Sequence, residues 1–479
     1  MNRPNILWIC TDQQRFDTLG CYGNEFVHTP NLDNLAKEGV LFTQAYSQSP
    51  VCTPSRGCFL TGRYPRTCRV RQNGADIPED EVLITRMLSD EGYTCGLAGK
   101  LHLSACDPNA RKGTERRIDD GYDVFHWSHD TSNIWPSNEY YLWLREKKAR
   151  LITKKFRLSR HVQIGQIEEN HQTTWCAEKA IAFIENSSRF DRPWLFSVNI
   201  FDPHHPFDPP EEYLSRYLDR EDEIPLPNYM EGELVNKPIW QNIDHEGAYG
   251  KTERYRYSRM KEKDHRLVKA AYWAMCDLID AQVGRMIKTL KETNQFENTI
   301  VIFHSDHGEM LGDHGIYLKG PFFYEPAIHV PLIISWPKRF KPQKISSFIE
   351  LIDLPLTLLD ALEVNPHPGM QGNSFLPLLE PDKDGFYNRE DIYCEYYNAM
   401  PWHKNPTAQS TMVRTERYKI AVDHVNNFGE LYDLQEDPIE SHNLWNDNKY
   451  ATVKTDMLMR LCNRMAFTVD PLPLRKGNF

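Results

Sequence analysis

The chain predicts an α/β fold: a large, mostly parallel sheet sandwiched by helices, followed by a smaller C-terminal α+β subdomain. Three observations carry this. Apolar runs of strand length recur at 5–10, 94–98, 194–200, 299–305 and 330–336, continuous in character as strands buried on both faces are. Segments with helical spacing alternate with them at 30–39, 83–91, 173–186, 267–293 and 352–362, the pattern of a sheet covered on both sides. After Gly372 the pattern changes to short strands and turns, including 430–434, and closes on a helix at 451–467. The chain therefore divides into a catalytic-sized domain, 1–371, and a subdomain, 372–479.

The elements follow in order. Asn5-Ile6-Leu7-Trp8-Ile9-Cys10 is a strand that ends at Asp12-Gln13, and 30–39 opens on Pro and stops at Gly as helices do. The strand at 94–98 delivers Gly99-Lys100-Leu101-His102. That at 194–200 delivers Asp202-Pro203-His204-His205, and that at 299–305 delivers Asp306-His307-Gly308-Glu309. Lys319 follows in a glycine-flanked loop. In open α/β sheets ligands sit beyond the carboxyl ends of the strands, so Asp12, Lys100, His204 and Asp306 are expected to converge. Two stretches, 104–169 and 208–263, carry no regular pattern. They are expected to cover the site or to meet another copy of the chain, and to encode substrate choice.

Composition narrows the function. A chain of 479 residues exceeds one ordinary core, and 40% apolar residues with 12% aromatics belong to a globular protein. A formal charge of −11 argues against a nucleic-acid or membrane-surface partner. Against that background, Arg56, Arg63, Arg66, Arg69 and Arg71 fall in a run without an acid, expected to form a patch that holds an anion. The eleven cysteines have no zinc-type spacing, so reduced thiols in a cytoplasmic protein are expected. The short apolar run at 6–10 falls below the length of a signal-peptide core, and no stretch reaches that of a membrane span.

The most informative stretch is Cys52-Thr53-Pro54-Ser55-Arg56, running on into Leu60-Thr61-Gly62-Arg63. Pro54 suits the first turn of a helix, which puts Cys52 at an N-terminus where unpaired donors favour an anion, with Arg56 one turn on. Alone, C-x-P-x-R reads as a low-pKa thiol or a buried cysteine. Asp12, Gln13, Asp306 and His307 offer mostly oxygen ligands, which suit a hard divalent cation such as calcium or magnesium.

The full stretch around Cys52 resembles the signature of the type I sulfatases, whose cysteine is oxidised to formylglycine by a maturation enzyme. The resemblance spans nearly the whole chain and implies the alkaline-phosphatase-like fold. It also implies a metal site from Asp12, Gln13, Cys52 as formylglycine, Asp306 and His307. Gly-Lys-x-His at Lys100 and His102 is similar to the family's sulfate-binding motif, Pro-His-x-Pro-Phe places His204 as the leaving-group acid, and Lys319 matches a second sulfate contact. Asn73 in Arg-x-Asn-Gly is expected to face the substrate. The implied mechanism is attack on sulfur by a hydroxyl of the formylglycine hydrate, its proton taken by Asp306. Lys100 and Lys319 neutralise charge, Arg56 holds the hydrate, and His102 deprotonates the second hydroxyl to expel sulfate. One departure is Gln13, where many members carry Asp. Gln there is familiar in the related phosphonate monoester hydrolases, which makes a phosphonate monoester or phosphodiester hydrolase the alternative. Those enzymes, however, replace the lysine and histidine found here at 100 and 102. A small anionic substrate is expected, a sulfated oligosaccharide with a second negative group, held by basic loops at 145–160 and 251–266. Trp135, Tyr140, Tyr141 and Trp143 are expected to stack on sugar faces.

Overall fold

The architecture follows from one alternation. In β1 (Asn5–Thr11), Ile6, Trp8 and Cys10 point to one face of the sheet and Leu7 and Ile9 to the other, and all five are buried. A strand apolar on both sides needs helices on both sides. The computed structural model, which describes residues 3–106, 114–380 and 385–477, supplies them. Helices Cys52–Thr61, Ile84–Asp90 and Asp353–Ala361 bury Phe59, Leu88 and Leu358 on the first face. Pro30–Glu38, Gln172–Ser187 and Glu262–Glu292 bury Leu35, Trp175 and Val283 on the second.

The remaining strands are β2 (Val40–Tyr46), β3 (Thr94–Gly99), β4 (Val124–Trp127), β5 (Lys154–Lys155), β6 (Gln163–Ile164), β7 (Trp194–Ile200), β8 (Thr299–Ser305), β9 (His329–Ser335), β10 (Gln343–Ile345) and β11 (Ile349–Glu350). The large sheet runs β10-β2-β9-β8-β1-β7-β3-β4, with β11 also on β2. β1 pairs in parallel with β7 and β8, and β3 with β7 and β4. β9 runs antiparallel to both its neighbours, β8 and β2. The carboxyl ends of β8, β1, β7 and β3 thus lie side by side on one edge. β2, VLFTQAY, is a strand that the apolar-run reading passed over, because Thr43 and Gln44 interrupt it at its bulge against β9.

The expected α/β sandwich with a smaller C-terminal part is what forms. β12 (Ile392–Tyr397), β13 (Gln409–Arg414), β14 (Tyr418–Asp423) and β15 (Phe428–Asp433) make an antiparallel meander, with helix Ala451–Phe467 packed on β13 and β14. This sheet reaches the Cys52–Thr61 helix directly: Cys58 and Tyr64 share a cluster with Tyr393, Val413, Leu431 and Leu461. Buried charge fastens the same joint. Arg389 holds Glu350 at 2.8 Å and Asp353 at 2.6 Å, and Arg464 of the last helix reaches Glu350 at 2.7 Å. All eleven cysteines are free thiols. Among the described residues no helix is long and apolar enough to cross a membrane.

The first irregular stretch contains β4, helix Glu139–Glu146 and the β5–β6 ladder, and 107–113 lie outside the described residues. Its aromatics correct the expectation of sugar stacking. Tyr140 is buried against Trp175 and donates to the Asn170 carbonyl, Trp135 stacks on Trp127, and Trp143 carries Lys147 over its ring. The arginine run is corrected too. Arg63 pairs with Glu81 and Asp470, Arg66 with Glu395, and Arg69 with Asp80 and Glu81. Acids outside the run neutralise these three, Arg71 is exposed, and Arg56 alone of the five takes part in the site described below.

Arg389→Met should therefore strand the buried Asp353, remove one of the two guanidinium partners of Glu350, and cost about 3–5 kcal/mol of stability. Chemical denaturation reads this as a lowered midpoint. An unchanged midpoint contradicts the joint.

Candidate active site

Helix Cys52–Thr61 begins at the residue the motif singles out. Its ten residues are all buried, and Gly62, in the left-handed region at φ 66°, closes it by donating to the Cys58 carbonyl. No side chain of its own caps its start. Asn73 does so from outside, its Oδ1 accepting from the Thr53 N–H at 3.0 Å. Ser55 anchors the first turn, donating to the Asp306 carbonyl beyond β8.

Cys52 is 1% exposed and stands where four strand ends meet. Its Sγ lies 2.8 Å from Lys319 Nζ, 3.2 Å from His307 Nε2 and 3.5 Å from Asp12 Oδ1. Arg56 Nε binds Asp306 Oδ2 at 2.9 Å, and its Nη2 lies 3.6 Å from Asp12 Oδ2. Arg56 Nη1 donates to the Lys100 carbonyl at 2.8 Å, and Lys100 Nζ pairs with Asp12. Three cations so face two carboxylates, all five side chains buried. Burial opposes ionisation of Asp12, but Lys100, Lys319 and other nearby cations outweigh it and hold the carboxyl well below its usual range.

The metal-type ligands assemble as expected. Ligand atoms of Asp12, Cys52, Asp306 and His307 all lie within 4.8 Å of one another. His307 Nδ1 donates to the Gly308 carbonyl at 2.8 Å, which in the neutral ring leaves the lone pair on Nε2, the nitrogen nearest Cys52. Gln13 is held in the left-handed region at φ 68°, its amide nitrogen bound to Glu309. Its Oε1 is buried without a hydrogen-bond partner. An orphaned oxygen beside two carboxylates and an imidazole fits a hard divalent cation.

Above this floor opens a cavity of about 590 Å³ whose wall contains Cys52, Asn73, Lys100, His102, His204 and Lys319. A larger groove of about 760 Å³ starts from the amino ends of β3, β4 and β7 and contains none of them. His204 Nδ1 donates to the His205 carbonyl at 2.6 Å, leaving Nε2 for a ligand. Burial, then Lys319, holds His204 well below its ordinary value; burial, then Lys100, does the same to His102. Asp12, Gln13, Cys52, Arg56, Asn73, Lys100, His102, His204, Asp306, His307 and Lys319 come together in this cavity or on its floor.

Sequence reasoning missed most of the upper wall: His129, Asp130 and His161 from the first irregular stretch, Tyr249 from the second, and Trp402. The basic loops do contribute, through Arg160 and Arg254. The aromatics in the wall are Phe201, Tyr249, Tyr255 and Trp402. No local motif marks these positions.

The comparisons agree with this geometry. The Sulfatase family model matches residues 4–364, and one described as N-sulphoglucosamine sulphohydrolase, C-terminal, matches 312–466. An arylsulfatase of Clostridium perfringens is 31% identical over 461 residues, 94% of this chain and 91% of that protein. An N-acetylglucosamine-6-O-sulfatase of Bacteroides thetaiotaomicron is 26% identical over 514 residues, 96% of this chain and 86% of that one. Among solved structures, a phosphonate monoester hydrolase of Agrobacterium radiobacter superposes with a TM-score of 0.82 at 25% identity, over 98% of this chain and 97% of that one. With its family model matched from the first strand to beyond helix Asp353–Ala361, the chain belongs to the sulfatase family of the alkaline phosphatase superfamily and is a sulfatase.

Proposed function

We propose that the protein hydrolyses the sulfate ester of a sulfated carbohydrate, using formylglycine made from Cys52 and a hard divalent cation. The observation that carries this is the convergence of Lys319, His307 and Asp12 on the Cys52 sulfur, beneath a cavity walled by Lys100, His102 and His204. The carbohydrate is supported by the relative named for N-acetylglucosamine 6-O-sulfate chemistry.

Asp12, Gln13, Asp306 and His307 would hold calcium or magnesium, which when bound supplies charge for a sulfuryl oxygen and acidifies a nucleophilic hydroxyl. Oxidation of Cys52 supplies an aldehyde whose hydrate offers one hydroxyl for attack and a second for release of sulfate. Lys100 and Lys319 both face Asp12 and border the cavity, where their charge would meet the incoming sulfate. His204 is fixed through Nδ1; to protonate the leaving alcohol from Nε2 it would take up a second proton in the substrate complex, where the sulfate's negative charge offsets the burial and the Lys319 charge that disfavour it. His102, kept neutral by burial and by Lys100, takes the proton of the second hydroxyl. Arg56 holds Asp306 and the floor in register.

Gln13 and the likeness in fold to a phosphonate monoester hydrolase favour the second reading, with phosphorus in place of sulfur. Lys100 and His102 decide for sulfate. An aryl sulfate should therefore have a higher kcat/KM than the matching aryl phosphonate monoester, and the reverse order overturns the proposal. His204→Ala should cost about 10²- to 10⁴-fold on a sugar sulfate, whose alcohol needs a proton. It should cost far less on an aryl sulfate, whose phenolate leaves unaided. Equal losses on both remove His204 from the acid's role.

Chelation should abolish turnover and added calcium or magnesium restore it. Asp306→Ala should lose on the order of a thousandfold or more in rate that no added cation recovers. Full activity in excess chelator contradicts the metal.

A further inference from the structure

Beside the sulfate-binding floor lies a second group of ligand-type side chains that the reaction uses only in part. His102, Cys106 and His129 each offer one donor atom, and the three atoms lie within 4.8 Å of one another. The Nδ1 atoms of both histidines are buried without a hydrogen-bond partner. A buried polar atom without a partner has lost its water and gained nothing in return, so two on neighbouring rings point to a ligand. The rings meet edge to face with centroids 4.7 Å apart.

The spacing is imposed from behind by a buried carboxylate. Glu115 is 2% exposed and accepts from the backbone N–H groups of His102 and Leu103, each at 2.8 Å, and of Ser104 at 3.2 Å. It also accepts the indole N–H of Trp127 at 2.9 Å. One side chain thus clamps the loop carrying His102 towards Cys106 to the end of β4. Trp127 stacks on His129 with centroids 6.4 Å apart, and Cys106 Sγ donates to the Ser104 carbonyl at 3.2 Å. Supporting contacts of this kind hold metal ligands in place.

We propose that His102, Cys106 and His129 form a binding site for a thiophilic divalent cation, zinc above all, whose occupancy shuts off hydrolysis. Two imidazoles and one thiol are a borderline-soft donor set, unlike the oxygen-rich set on the floor, so the two sites select different ions. Three protein ligands leave a fourth tetrahedral position for water. Binding exchanges the S–H bond of Cys106 for a sulfur–metal bond and releases one proton, with no change of oxidation state. An ion on His102 removes the base assigned above, and this inhibitory half rests on that assignment; the binding half does not.

The test has two arms. In the first, full-length enzyme with calcium in excess is titrated with zinc chloride while it turns over an aryl sulfate. Inhibition should saturate at one zinc per chain and reverse on removal of zinc. Cys106→Ala and Cys106→Ser should keep the zinc-free rate and need at least the 10- to 100-fold more zinc that loss of a mere supporting partner would demand. Wild-type zinc sensitivity in both variants overturns the inhibition. The second arm reads binding without catalysis. Cys52→Ala protein titrated with cobalt(II) should develop a thiolate-to-cobalt charge-transfer band, which disappears when Cys106→Ala is added. No band, or a band that survives loss of Cys106, overturns the site, whatever the enzyme's substrate proves to be.

Discussion

The site depends on the burial of Arg56. Its side chain is fully enclosed, and a guanidinium taken out of water costs several kcal/mol unless acids meet it. Burial opposes its charge, and Asp306, Asp12 and other anionic neighbours outweigh that cost. This one contact fixes much else. Arg56 sits one turn into the Cys52 helix, Asp306 at the end of β8 and Asp12 at the end of β1, so the ion cluster sets the helix N-terminus against the sheet edge. Its bond to the Lys100 carbonyl brings in β3 as well. The sulfur of Cys52 is thereby brought to the point where Lys319, His307 and Asp12 meet it.

Two left-handed residues show how tightly that edge is drawn. Gln13 and His102, at φ 68° and 56°, each follow closely on a strand end. A non-glycine residue in such a conformation costs about 1–3 kcal/mol and persists where surroundings over-determine it. Glu309 holds the Gln13 amide and Glu115 holds the His102 backbone, so a buried carboxylate backs each strained position. Both carboxyls are raised above their ordinary values by burial, against the donors that pull them down. The functional residues are carried on rigid strand ends, and the second layer behind them is also polar and buried.

Much of the floor was legible in the sequence. Continuous apolar runs mark parallel strands, parallel strands share one carboxyl edge, and Asp12, Lys100, His204 and Asp306 follow such runs within a few residues. The start of the Cys52 helix was legible because Pro54 constrains the backbone locally. The upper wall was not. His129, His161, Tyr249 and Trp402 arrive from irregular chain, and their places depend on contacts with residues distant in sequence; Arg160 and Arg254 were foreseen only as members of basic loops. The run from Arg56 to Arg71 misled for the same reason, since its partners Glu81, Glu395 and Asp470 lie outside the window that made it look unpaired. The tryptophans and tyrosines of 135–143 misled because an aromatic that packs within its own stretch reads like one that lines a cavity; Tyr140 is buried, and none of the four is in the cavity wall. β2 was missed where a bulge set polar residues into an otherwise apolar strand.

The central claim is that the nucleophile is an oxidised Cys52 and not its thiol. Mass spectrometry of the peptide spanning Cys52, measured on preparations of graded specific activity, tests it most directly. Conversion of the thiol side chain to an aldehyde removes about 18 Da, and turnover should rise in proportion to the lighter peptide. Full turnover from protein whose Cys52 is entirely thiol would contradict the account.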